Sequence, residues 1–243
     1  MNSIVLVTGG SRGIGAATSK YLAKQSYAVC VNYISNEIEA NKIVTEIERD
    51  GGVAIAVQAD VSKENEVIKL FDTIDKSLGK ITHLVNNAGI LLPKMKVSEM
   101  SAERINKIFS TNVTSYFLCC KEAINRMKNG GAIVNVSSVA SRLGSPSEYV
   151  DYAASKGAID TLTIGLSIEV ANKNIRVNCV RPGFIYTEIH ADGGEPNRVE
   201  RIRNLIPLQR GGNPVDVAAS IAFLLSSEAS FITGTFIDVA GGK

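Results

Sequence analysis

The sequence predicts a doubly wound α/β fold, a parallel sheet of about seven strands with helices on both faces. Two observations carry that prediction. Short β-branched runs alternate with amphipathic helical stretches from end to end, and six such units in succession call for strands joined by helical crossovers. The runs themselves are apolar without a period of two, as strands covered on both faces require.

The strand-like runs are Ile4 to Thr8, Ala28 to Tyr33, Val53 to Gln58, His83 to Asn86, Ala132 to Val136, Arg176 to Val180 and Phe236 to Val239. Helical spacing fills about 13–25, 36–50, 63–78, 102–128, 150–172 and 214–226 between them. Asn36 stands where a helix cap belongs, and Glu37 follows in the first turn, where an acid favours the helix dipole. Crossovers between the strands should be right-handed. No linker, internal repeat or low-complexity tract interrupts the pattern, so residues 1–243 read as a single domain. One segment breaks the rhythm. Residues 184–212 hold Gly193-Gly194, Pro196, Pro207 and Gly211-Gly212, with a short helix expected around Val199 to Leu205. A loop of that length in a compact domain is either a flap over substrate or a surface insertion.

Composition narrows the function. Hydrophobic residues make up 45% and charged residues 21%, an ordinary globular balance. The net charge of +2 gives no reason to expect nucleic acid or an acidic membrane as partner. No apolar stretch reaches the ~18–20 residues needed to cross a bilayer. A first strand starting near residue 3 leaves no room for a cleavable leader, so a cytoplasmic location is expected. Cys30, Cys119, Cys120 and Cys179 lie inside apolar runs and read as small buried hydrophobes. The histidines, His83 and His190, belong to no Cys/His cluster, so no metal site is expected.

Two motifs carry chemistry. The first strand ends in Thr8-Gly9-Gly10-Ser11-Arg12-Gly13-Ile14-Gly15 and runs straight into a helix. Glycines there let the backbone turn tightly and approach a pyrophosphate seated on the positive end of the helix, so a dinucleotide site is expected. The acid usually found on the ribose, about 20 residues on, is missing. The second strand ends Asn32-Tyr33-Ile34-Ser35-Asn36, without a carboxylate to repel a 2′-phosphate. Arg12, Ser35 and Asn36 are available to bind one, which favours NADP over NAD. The second motif is Tyr152 with Lys156. Among seven tyrosines, only Tyr152 has a lysine four positions later. On a helix the two share a face, with β-carbons roughly 5–6 Å apart. An ammonium beside a phenol should ease its ionisation and suit it to acid–base work.

With these motifs in order, the chain closely resembles the short-chain dehydrogenase/reductase family over nearly its full length. The resemblance rests on Thr8, Gly9, Gly13 and Gly15 in the cradle, Asp60-Val61 after the third strand and Asn86-Asn87-Ala88-Gly89 after the fourth. It continues through Asn112, Ser138, Tyr152, Lys156, Pro182-Gly183 and Thr187. It implies a Rossmann-like fold and an NAD(P)-dependent oxidoreductase moving hydride between nicotinamide C4 and a carbonyl or secondary alcohol. The implied catalytic set is Asn112, Ser138, Tyr152 and Lys156. Tyr152 is its acid/base, Ser138 polarises the substrate oxygen, and Lys156 lowers the tyrosine pKa and holds the nicotinamide ribose. Asn112 fixes a water that returns protons. The implied cofactor contacts are Gly9, Ser11, Arg12, Gly13, Ile14, Gly15, Tyr33, Ser35, Asn36, Asp60, Val61, Asn87, Ala88, Gly89, Tyr152, Lys156, Pro182, Gly183, Ile185 and Thr187.

Ser137 competes with Ser138; strand alternation and the family pattern favour the second. Two departures stand out. Thirteen residues separate Ser138 from Tyr152 where the family usually has twelve, which places Tyr149 as a second phenol, without a lysine partner, suited to lining the substrate pocket. Ile34 stands where many NADP-using relatives carry arginine. A 3-oxoacyl-(acyl carrier protein) reductase and a sugar dehydrogenase are the enzymatic alternatives, and a non-catalytic nucleotide-sensing regulator the alternative of a different class. The resemblance also implies a homotetramer, through the middle helices and the apolar segment Phe231 to Gly242.

Overall fold

The computed structural model describes residues 3–243. In chain order the elements are β1 (Ile4–Val7), α1 (Gly13–Lys24), β2 (Ala28–Tyr33), α2 (Glu37–Arg49), β3 (Val53–Gln58), α3 (Glu64–Ser77) and β4 (His83–Asn86). They continue with α4 (Ala102–Phe109), α5 (Ser115–Arg126), β5 (Gly131–Val136), the short α6 (Ala140–Leu143) and α7 (Val150–Glu169). The last are β6 (Ile175–Pro182), the short α8 (Ile189–Asp192) and α9 (Arg198–Ile202), α10 (Pro214–Leu225) and β7 (Phe236–Val239). The strands form one parallel sheet in the order β3-β2-β1-β4-β5-β6-β7.

Alternation along each strand divides the interior into two cores, because successive side chains point to opposite faces. Val5, Val7, Val29, Val31, Val85 and Val134 pack on one side with Leu22, Ile43, Ile221 and Leu224 from α1, α2 and α10. Ile4, Leu6, Cys30, Leu84, Ile133 and Val177 pack on the other with Leu70, Phe71, Ile74, Cys119 and Ala123 from α3 and α5. Both faces of the central strands are thereby covered, and all four cysteines are buried. The edge strands depart from the expectation of burial on both faces. Val53 in β3 is exposed, and β7 is only half-buried, since an edge lacks a neighbour on one side. None of the helices described is long and apolar enough to cross a membrane.

Strand order reverses between β1 and β4, and ligands bind where such a reversal opens a crevice at the carboxyl ends of the strands. One expected element differs. The stretch 102–128 is not one helix but α4 and α5 joined by a π-helical turn at Ser110–Thr114. The cause is Asn112 at its centre, whose amide is drawn out of the helix to bond with the chain at Ile90. Such bulges recur at functional sites.

Candidate functional site

A cavity of about 590 Å³ opens over the β1–β4 crevice, with the glycine turn at one end and Tyr152 at the other. The turn is held from below. Thr8 Oγ1 accepts hydrogen bonds from the backbone N–H groups of Asn87 (2.9 Å) and Ala88 (3.0 Å). Asn87 Nδ2 donates to the Thr8 and Gly9 carbonyls at 2.9 and 3.1 Å. Gly13 has φ +51°, where side chains are strained. A Cβ on Gly15 would lie 2.1 Å from the Gly9 carbonyl oxygen, so only glycine lets α1 start this close under the turn. No side chain caps α1, and Ser11, Arg12, Gly13 and Ile14 line the cavity. A helix start lined up in this way favours a phosphate anion.

Beside the turn, Asn32 does work that its sequence position did not advertise. Its Oδ1 accepts from Gly9 N (3.2 Å) and its Nδ2 donates to the Ala59 carbonyl (3.0 Å), tying the ends of β2 and β3 to the glycines. The signal was there: a polar residue inside an apolar strand needs buried partners. Tyr33, Ile34, Asp60 and Val61 line this end of the cavity. Asp60 Oδ1 accepts from the Ser62 N–H (3.0 Å) and hydroxyl (2.6 Å).

Four expected contacts are placed differently. Asn36 caps α2, accepting from Glu39 N at 3.1 Å, and neither it nor Ser35 reaches the cavity wall. Gly15 lies beneath the turn rather than on the wall. Arg12 lines the cavity, but its guanidinium is ion-paired with Asp192 at 2.6 Å.

At the far end, α7 presents Tyr152 and Lys156 on one wall with Ser138 from the end of β5. Ser137, the competing serine, donates its hydroxyl to the Lys156 carbonyl (3.0 Å) and so serves the helix. Ser138 Oγ instead accepts from Ala140 N (3.1 Å) beside the Tyr152 phenol. Burial pushes the Tyr152 pKa up to about 12, against a smaller opposing pull from Ser138. Burial also brings Lys156 down to about 8. The expected lowering of the tyrosine by its lysine is therefore corrected. The ammonium lies 5.7 Å from the Tyr152 ring centroid, and its hydrogen bonds go to the Val136 carbonyl (2.8 Å) and the Tyr116 hydroxyl (3.4 Å). Tyr116 was not singled out in the sequence, although its place four residues after Asn112 put it on the same helical side.

Asn112 is fully buried behind the wall rather than on it. It bonds the Ile90 N–H (2.8 Å), the Ile90 carbonyl (3.0 Å) and Ser155 Oγ (3.2 Å), all protein groups. Ala88, Gly89, Pro182, Gly183, Ile185 and Thr187 complete the walls between the two ends.

The segment 184–212 forms a lid over this cavity, with Phe184, Ile189, His190 and Arg198 on its inner side. Its ends are pinned together, Gly212 N to the Phe184 carbonyl and Tyr186 N to the Gly212 carbonyl, both at 2.9 Å. The expected short helix appears as α9 plus a 3-10 turn at Arg203–Leu205. Arg198 holds the lid down, bonded to Glu148 (2.5 Å) and Glu195 (3.3 Å) with its guanidinium 4.7 Å over the Tyr149 ring. Lys94 joins both carboxylates, at 3.3 and 2.7 Å. Tyr149, whose hydroxyl donates to the Gly193 carbonyl (3.0 Å), both lines the cavity and anchors the lid.

Comparison with known proteins bears on the family and the fold. A family model described as enoyl-(acyl carrier protein) reductase matches residues 9–243. The chain is 61% identical to the uncharacterized oxidoreductase YgfF of Escherichia coli, covering 99% of this chain and 100% of that one. It is 39% identical to glucose 1-dehydrogenase 2 of Bacillus subtilis, over 98% of this chain and 93% of the relative. Among solved structures, a Serratia marcescens short-chain dehydrogenase/reductase mutant superposes with a TM-score of 0.92 at 30% identity, covering 99% of this chain and 97% of its own.

Proposed function

The chain belongs to the short-chain dehydrogenase/reductase family, and from that premise we propose that it is an NADP-dependent reductase of carbonyl compounds, reversible toward the secondary alcohol. The observation that carries this reading is one cavity with a phosphate cradle at one end and a buried phenol, serine and lysine at the other. The cradle fits a dinucleotide because the uncapped start of α1, with Ser11, Arg12, Gly13 and Ile14, lines the cavity where a phosphate would sit. Ser11, Arg12, Gly13 and Ile14 would hold the phosphates, Asp60 and Val61 the adenine, and Asn87 to Gly89 with Pro182 to Thr187 the nicotinamide end. The absence of a carboxylate after Tyr33 supports NADP; Arg12 would leave Asp192 to meet a 2′-phosphate.

When bound, the nicotinamide supplies or accepts the hydride at its C4. Tyr152 gives its proton to the substrate oxygen as negative charge develops there. Burial keeps the phenol protonated at neutral pH, ready to donate. Ser138 donates a hydrogen bond to the same oxygen. Lys156 places positive charge behind the phenol and would hold the nicotinamide ribose.

The test is a spectrophotometric screen for oxidation of NADPH and NADH against ketones, aldehydes, sugars and acyl thioesters, with Tyr152→Phe in parallel. The expected result is turnover with NADPH on simple carbonyl compounds, and a loss of kcat of at least about a hundredfold in Tyr152→Phe with cofactor binding kept. Higher kcat/KM with NADH would overturn the cofactor assignment. Turnover confined to acyl thioesters or sugars would move the substrate to those classes. Nucleotide binding without turnover on any member would favour a sensing protein. Association is part of the same proposal. Phe117 on α5, Ile164 and Ile168 on α7 and the fully exposed Phe231 leave apolar surface that a homotetramer would cover. A light-scattering mass of one chain would refute it.

A further inference from the structure

Lys156 is almost wholly buried, and among the described residues no carboxylate bonds to it. A buried ammonium is costly unless its protons are taken up by other groups. The titratable groups around it come from three elements. Tyr152 and Asp160 lie on its own helix, Tyr116 comes from α5 and Cys179 from β6. Asp160 is ion-paired with Arg181 at 2.9 Å and acts on the ammonium only from a distance. Burial drives the Cys179 thiol up to about 12, so neither takes up a proton of the ammonium in a hydrogen bond. What remains is a triangle. The Val136 carbonyl accepts from Lys156 Nζ (2.8 Å) and from the Tyr116 hydroxyl (2.9 Å), while the Tyr116 oxygen accepts from Lys156 Nζ at 3.4 Å. The Tyr116 ring also stands 5.3 Å from the ammonium, at cation–π distance.

We propose that Tyr116 is a positioning residue for the reaction: its phenol, fixed on the Val136 carbonyl, aims the Lys156 ammonium and favours its charged form. This rests on the reading of Lys156 and Tyr152 as the reacting end of the cavity. Three features set the arrangement apart from simple core packing. Tyr116 is buried deeply enough that its phenol stays neutral, so it can only accept from the ammonium and donate to the carbonyl. Its oxygen also accepts from the ammonium while both donate to one carbonyl, so neither can move without the other losing a bond. It also follows directly on the π-helical turn centred at Asn112, which sets where α5 begins and therefore where the phenol points.

The experiment compares the wild type with Tyr116→Phe, which keeps the ring and removes only the hydroxyl. In full-length protein labelled with ¹³Cε-lysine, the Lys156 resonance is assigned by its loss in Lys156→Arg and titrated with pH. An acceptor that favours the ammonium raises its pKa, so its removal should move the Lys156 titration to lower pH by about one unit. With a substrate from the carbonyl screen, kcat should fall roughly tenfold, the rate equivalent of one hydrogen bond to a charged group. The alkaline limb of its pH profile should move the same way as the resonance. A purely structural tyrosine would lower the melting temperature and leave both titration and pH profile where they were; superimposable curves overturn the proposal. If Tyr116→Phe does not fold, site-specific 3-fluorotyrosine at 116 preserves shape and weakens the acceptor. A smaller shift in the same direction is then expected, and none would overturn it. The outcomes separate the two readings. Activity surviving in Tyr152→Phe would sink the assigned site, whereas loss there beside a wild-type Tyr116→Phe would sink only the role of Tyr116.

Discussion

The floor of the cavity and its lid are built by opposite means. The floor, from β1 through β4, is fixed by backbone: glycines under the turn, a threonine and two asparagines bonding to main-chain groups, and a sheet on either side. The lid, residues 184–212, is fixed by side chains reaching across to other loops, with Arg198, Glu148, Glu195 and Lys94 forming one ion network. A backbone cradle is rigid, which suits a part that must receive the same phosphates every time. A charged latch is made of side chains alone, so any movement of the segment to admit substrate would have to break these ion pairs first.

The largest expected effect breaks the floor. Gly15→Ala should lower stability by about 3 kcal/mol, the upper end for forcing a methyl into packed space, and weaken NADPH binding at least about a hundredfold. Thermal melts and fluorescence titration read both, and near-normal affinity would show that the turn is softer than its geometry implies. Acid separates the two regions next. Burial of His83 on β4 lowers its pKa from 6.5 to about 4, with Arg176 adding to the shift. The unfolded chain therefore takes up a proton that the fold refuses. The stability is complete above pH 6.5 and falls as pH drops toward 4, by about 2 kcal/mol between 6.5 and 5. Glu195 in the lid runs the other way in range. Its pKa is held down to about 2, first by the Arg201 hydrogen bond, so its contribution persists above 4.5 and is lost only as pH falls toward 2. Denaturant melts from pH 7 to 5 should show the loss, and His83→Gln should flatten it; an unchanged slope in that variant would place the titrating group elsewhere.

Arg198→Leu tests the latch. It should cost about 1.5 kcal/mol, the worth of a hydrogen bond to a charged group, while Lys94 and Arg201 still neutralise the carboxylates. Limited proteolysis within residues 190–206 should speed up, and substrate KM should rise more than kcat falls. A melting temperature as low as that of Gly15→Ala would mean that the lid unfolds with the whole domain. The smallest effect belongs to Arg12→Ala. Its half-exposed pair with Asp192 is worth less than about 1 kcal/mol, so stability should barely change while discrimination between NADPH and NADH narrows.

The same contrast explains what the sequence disclosed. The glycine turn, the Asn36 cap and the seven strands are local patterns, and each is where the periodicity and spacing put it. Tyr152, Lys156 and Ser138 gather on one wall because helix pitch and strand alternation bring them there. What stayed hidden depends on partners far away in the chain. Nothing around Asn112 announces a π-helical turn, which exists because Ile90, 22 residues earlier, claims the amide. The high pKa of Tyr152 comes from how deeply α7 is covered, a property of the packed molecule and not of a tyrosine–lysine interval. The latch joins positions 94, 148, 195 and 198, and no local pattern ties those charges to one another.

The paired backbone bonds of Gly212 with Phe184 and Tyr186 mean that the chain leaves the end of β6 and comes back to almost the same point before it enters α10. Ile185 and Thr187 on the cavity wall and Leu208, bonded to Gly241, tie the two flanks of this excursion to the rest of the molecule. The exposed stretch at its tip is therefore where a change of length would disturb the strands least.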